Sequence, residues 1–200
     1  MKSLLLLLSF IAIAAEAQTL DQQKIIAENN GRVTNVRIKG SLASTKTVIC
    51  IPITEAKNTY TPADLYQGVA NCISQEKFDL AAGLFALAGI YGQFDAERVA
   101  DKSAGQAKTV LIMSMFASVS QNQKSKFYAA FSQIAKTPEL FGKLCIDIQK
   151  VGMPNYYPDY MILHGIKAFT GNSHDAVLVK DFDAPRVWVN LQTTYLHCPA

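Results

Sequence analysis

Met1–Ala17 constrains the fold of this chain more than any other segment, because it sets the redox conditions in which the rest must fold. Lys2 supplies a positive start, Leu4–Ala15 is apolar apart from Ser9, and Ala15-Glu16-Ala17 is a small-x-small cleavage site before Gln18. That is the pattern of a secretory leader removed from the mature protein. The apolar run is shorter than the roughly 20 residues that cross a bilayer as a helix, so no stable membrane insertion is expected. The expected organisation is a signal peptide over 1–17 and a periplasmic or secreted single domain over 18–200.

An oxidising compartment makes the cysteines structural. Cys50, Cys72, Cys145 and Cys198 form an even set and are expected to give two disulfides. Three pairings are open. Cys50 with Cys72 and Cys145 with Cys198 is preferred, since it ties an N-terminal β segment to the first helix and the last helix to the fifth. None of the spacings is the C-x-x-C of a structural zinc site or a thiol oxidoreductase. The sequence carries no N-x-S/T acceptor, which favours a bacterial periplasm over a eukaryotic secretory route.

The net charge is only +3 and the basic residues are scattered, so nucleic acid is not an expected partner. With half of its residues apolar, a chain of this length can bury a sizeable core. Residues 18–61 are the least regular part. Arg32–Ile38 and Lys46–Ile53 are rich in β-branched residues and are predicted as short strands joined through Gly40–Ser44.

From Thr61 onward the helical signals are strong. Thr61-Pro62 is an N-cap followed by a first-turn proline, and Leu65, Val69, Cys72 and Ile73 recur at helical spacing. A second helix is predicted over Phe78–Tyr91, stopped by Gly92. A longer amphipathic helix is predicted over Asp95–Ser118, with Arg98 on its polar side. After a polar break at Gln121–Gln123 come a helix carrying Phe127, Phe131 and Ile134 and another opened by Thr137-Pro138-Glu139 and closed by Gly152. Pro158–Phe169 and Asp183–His197 are predicted as the last helices, separated by a segment with a short strand or buried loop at Val177–Val179. The fold class expected is mainly α, a domain of about seven helices with a small N-terminal β appendage.

Leu65, Cys72, Phe78, Ala81, Phe85 and Ala88 lie close to the spacing of a tetratricopeptide repeat, and residues 63–94 resemble one copy of that motif. Gly68 departs from the pattern by one position. No second copy follows at the repeat's period. The resemblance implies one helical hairpin, with Phe85 buried between its two arms.

Sequence motifs for catalysis are few: there is no G-x-S-x-G, no phosphate-cradling loop and no H-E-x-x-H. His164, His174 and His197 are the groups able to act as base or ligand near neutral pH. No cofactor and no metal are expected. Asn155-Tyr156-Tyr157-Pro158-Asp159-Tyr160 is more suggestive, because aromatic rings with polar tips beside an acid are favoured in protein interfaces. Tyr156, Tyr157, Asp159 and Tyr160 are therefore the expected partner-binding residues. Arg98 joins them as part of a second candidate, Phe94-Asp95 with Arg98 and Asp101, in which i,i+3 spacing allows ion pairing.

The function expected is that of an exported protein-binding module, in its most concrete form an immunity-type inhibitor of a toxin. The alternatives are a hydrolase using an Asp with His164 or His174, and a structural envelope factor.

Overall fold

The computed structural model describes residues 25–29, 34–170 and 177–199. The segment expected to be a leader with its cleavage site, and His174, lie outside the described residues. The chain divides into two units between Lys39 and Gly40. In the first, β1 (Ile25–Asn29) and β2 (Thr34–Ile38) pair antiparallel, with Ile25 opposite Ile38 and Asn29 opposite Thr34. The expected strand at Arg32–Ile38 is thus present as β2, but its partner is Ile25–Asn29 and not Lys46–Ile53.

In the second unit the described residues form eight α-helices: α1 (Pro62–Ser74), α2 (Phe78–Arg98), α3 (Ala107–Ala117), α4 (Gln121–Lys136), α5 (Pro138–Val151), α6 (Asp159–Ile162), α7 (Lys167–Thr170) and α8 (Ala184–Thr194). The class is mainly α with a small N-terminal β hairpin. No helix among the described residues is long and apolar enough to cross a membrane.

Residues 46–52 belong to no sheet, because α1 captures the segment through side chains, and Ile53 opens a 3-10 turn. The Asp64 carboxylate accepts from the Thr45 and Lys46 N–H groups at 2.6 and 2.8 Å and from the Ser44 hydroxyl at 2.7 Å. Gln67 accepts from the Val48 N–H, Asn71 donates to the Val48 carbonyl, and Cys50 is bonded to Cys72. Asp64 also closes a capping box with Thr61, each side chain accepting from the other's backbone N–H. Gly68, the departure from the repeat pattern, lies where this segment crosses α1: a Cβ there would come within 2.7 Å of Val48 Cγ1.

The α1–α2 hairpin expected from residues 63–94 is present, and α2 is the central helix. Ala82, Leu84, Leu87, Ala88, Ile90, Tyr91 and Phe94 are buried around its circumference, as expected for a helix enclosed on all sides. Gly92 does not stop it. The helix runs on to Arg98, and the aliphatic stem of Lys108 occupies the space a Gly92 side chain would take. Phe85 is only half-buried: it lies edge-on to Tyr66 of α1 within the hairpin and to Phe127 and Phe131 of α4 beyond it.

Two predicted helices are interrupted, each by a distant partner. The segment Asp95–Ser118 breaks after Arg98, where the Ala100 N–H donates to the Val177 carbonyl and the Val179 N–H to the Arg98 carbonyl. Val99 and Leu178 form the resulting isolated antiparallel bridge, so the segment expected as a short strand or buried loop at Val177–Val179 contributes one bridge and no strand. The chain then makes a 3-10 turn at Lys102–Gln106, capped by Asp101, before α3. The segment Pro158–Phe169 splits into α6 and α7, since the Ile166 and Lys167 N–H groups turn outward to Ser103 Oγ and Asp101 Oδ2. Gln121–Gln123 is not a break but the first turn of α4, for which Ser120 and Gln123 form a capping box.

The second disulfide, Cys145–Cys198, fastens α5 to the C-terminal tail, so both bridges follow the preferred pairing. A disulfide contributes about 2–4 kcal/mol, more for a longer loop. The bridges are 22 and 53 residues apart in sequence, so Cys145→Ser/Cys198→Ser is expected to lose more stability than Cys50→Ser/Cys72→Ser. Urea unfolding of the two variants checks the order, and a reversed order would show that native-state strain or residual structure outweighs loop closure.

Candidate functional site

The tyrosine-rich turn is built against the C-terminal end of α2. Asp95 points inward there, with its side chain fully buried, and Arg98 one turn later is 13% exposed. Their spacing allows the ion pair anticipated from sequence, but the pair is enclosed by protein instead of lying on a solvated face. Arg98 Nε and Nη2 reach Asp95 Oδ1 at 2.8 and 2.7 Å. Asp95 Oδ2 accepts from the hydroxyls of Tyr156 at 2.9 Å and Tyr160 at 2.7 Å.

Arg98 Nη2 donates to the Tyr156 carbonyl at 2.9 Å, and its guanidinium lies between the Phe94 and Tyr156 rings, 5.2 Å from each centroid. A planar cation suits such a slot, since it stacks on aromatic faces while its edge donates hydrogen bonds. The neighbouring Tyr91 hydroxyl donates to the Gly152 carbonyl at 2.7 Å. Each buried polar side-chain atom among the described residues has a partner, as a buried network requires.

Burial pushes the Asp95 carboxyl above the usual carboxylate range, against the opposing pull of Arg98 and the two phenols. Burial first, and then the negative charge of Asp95, raises the Tyr156 and Tyr160 hydroxyls well above the ordinary tyrosine value. Both phenols therefore stay protonated and serve as donors.

The five residues singled out from sequence are brought together, but they divide into two sets. Tyr160 is 2% exposed, and Arg98 and Tyr156 are largely enclosed, so these three hold the turn and offer little surface to a partner. Of the residues expected to contact a partner, these three are thus turned mostly toward the protein. Tyr157, 53% exposed, and Asp159 face solvent. The alternation is complete: Tyr156 in, Tyr157 out, Pro158 buried, Asp159 out, Tyr160 buried. The Asn155 N–H donates to the Asn58 carbonyl at 2.8 Å and fixes the start of the turn.

Of the three histidines, His164 and His197 are among the described residues. His164 Nδ1 is 3.2 Å from the hydroxyl of Ser41, which is itself 3% exposed, and partial burial lowers the imidazole's pKa. Among the described residues no carboxylate hydrogen-bonds His164. His197 is exposed in the tail beside Cys198, and its backbone has a positive φ. Sequence reasoning did not identify Asp64 and Asp147, two further buried acids.

Comparisons with protein-family models, with curated proteins and with solved structures match none of them to this chain.

Proposed function

We propose that this chain is an exported binding protein of the bacterial periplasm that docks on another protein through Tyr157 and Asp159. Its most concrete form is an immunity-type inhibitor that occupies an incoming toxin. The observation that carries this reading is the alternation at the tyrosine turn: Tyr156 and Tyr160 are bolted to Asp95 while Tyr157 between them is held outward. A contact residue presented on a rigid turn loses little conformational freedom on binding, and such preorganisation favours affinity. An aromatic ring with a hydroxyl tip is also among the side chains most often dominant at interfaces. Two disulfides suit the oxidising compartment that the leader pattern implies.

The test uses the mature chain, Gln18–Ala200, as bait in an envelope extract, followed by affinity measurement with the protein it retains. Tyr157→Ala is expected to weaken that complex by about 2 kcal/mol, roughly thirtyfold, as loss of an interface anchor does. Its folding stability is expected to change by no more than about 0.5 kcal/mol, because the ring is exposed. Unchanged affinity would remove the turn from the interface.

A further inference from the structure

A second feature of the helical unit, sharing no lining residue with the tyrosine turn, is a cleft of about 310 Å³ bounded by α2, α4, α5 and the 3-10 turn Ile53–Glu55. That volume is at the lower end of the roughly 300–1,000 Å³ typical of small-molecule sites. Ile53, Leu80, Ile134 and Leu144 supply apolar walls. Ile134 and Leu144 also line a neighbouring apolar cleft of about 250 Å³, so apolar surface continues behind the dividing side chains.

The charged groups of the cleft are unequal in burial. Asp147 lines it from α5 with a side chain only 7% exposed, and Asp79 lines it from α2. The single cation lining it among the described residues is Lys143, which meets Asp147 Oδ2 at 2.5 Å but is itself 68% exposed. The partner Asp147 has is a cation, but an exposed lysine on a flexible stem is held weakly and loses little on returning to water. Lys143 is therefore an exchangeable counter-ion.

We propose that this cleft binds an amphiphilic cation, an ammonium or guanidinium group carried on an apolar chain. The charged head takes the place of Lys143 on Asp147, and the chain lies along Ile134 and Leu144. Charge decides the class: the cleft holds two carboxylates against one lysine that can leave. An anionic amphiphile would bring a further carboxylate beside Asp147, so a fatty acid is the disfavoured occupant. A neutral chain gains the apolar walls but not the buried charge.

Octylammonium, octanol and octanoate share one chain and differ in the head, so calorimetric titration of the mature protein with each separates charge from apolar contact. Octylammonium is expected to bind about tenfold more tightly than the other two, the effect of one complementary desolvated charge. Lys143→Ala removes the internal competitor and is expected to tighten octylammonium binding about threefold while leaving octanol unchanged. Asp147→Asn is expected to bring octylammonium down to the affinity of octanol. Ala130→Trp, at a half-exposed wall position, is expected to weaken all three by filling the mouth.

Octanoate or octanol binding as well as octylammonium, a Lys143→Ala variant that binds octylammonium no more tightly, or no binding of any probe overturns the proposal. Should Asp147→Asn fail to fold, Lys143→Ala decides alone. None of these measurements involves Tyr157, so the cleft and the protein interface stand or fall separately.

Discussion

Asp95→Ala is expected to lower the unfolding free energy by about 3–5 kcal/mol, because it strands Arg98 and two phenols in a space closed to water. The carboxylate is fully buried and satisfies Arg98, Tyr156 and Tyr160 together. Breaking one partner of a buried ion pair costs far more than the pair's net contribution, since the remaining charge keeps its desolvation penalty. Tyr160→Phe removes a single hydrogen bond to a charged group and is expected to lose about 1.5–3 kcal/mol. In the Asp95→Ala background the same change should lose little, because the phenol no longer has the acceptor that made it worth burying. Urea unfolding of the two single variants and the double variant closes the cycle. Additive losses, or an Asp95→Ala loss under about 1 kcal/mol, would show that the four groups do not act as a unit.

That network also marks how far the sequence could be read. The Asp95–Arg98 pair is visible as i,i+3 spacing, and the three tyrosines as a cluster. Their union is not visible, because Tyr156 and Tyr160 lie 61 and 65 residues from Asp95 along the chain. Local signals were reliable where the deciding interaction is local. Thr61-Pro62 opens α1, Thr137-Pro138 opens α5, and Gly152, with φ of +87°, closes α5.

Helix boundaries were misjudged where a distant group decides them. Val177 and Val179 pull the chain out of helix beside Arg98, and Asp101 and Ser103 do the same at Ile166 and Lys167. Gly92 shows the converse: a residue that usually ends helices serves here to let Lys108 pack closely. The strand expected at Lys46–Ile53 failed for the same kind of reason. Its β-branched composition describes an extended chain, but side chains of α1 take its backbone groups before a second strand can.

Asp64→Ala is expected to match the loss at Asp95, about 3–5 kcal/mol, through a different mechanism. Asp64 is the clasp between the 44–46 segment and α1: its two oxygens accept from three backbone N–H groups and from the Ser44 and Thr45 hydroxyls. No water replaces such a clasp at a residue that is fully buried. Burial raises the carboxyl's pKa, but the bonds from Lys46, Thr61 and Ser44 outweigh it and leave the pKa below the ordinary value of 3.8.

A carboxyl depressed in the folded state contributes stability above its unfolded pKa and loses it as pH falls through the folded value. Asp95, raised by burial, has the opposite sign, since its folded form retains the proton longer. The acid dependence of the wild type therefore mixes the two. The difference between wild type and Asp64→Asn isolates one: it should be constant from neutral pH to about 5 and narrow below about 4 as Asp64 takes up its proton. Unfolding measured across that range decides the matter. A gap that widens on acidification would mean that the clasp holds its proton in the folded state, and that the hydrogen bonds from residues 44–46 do not outweigh burial.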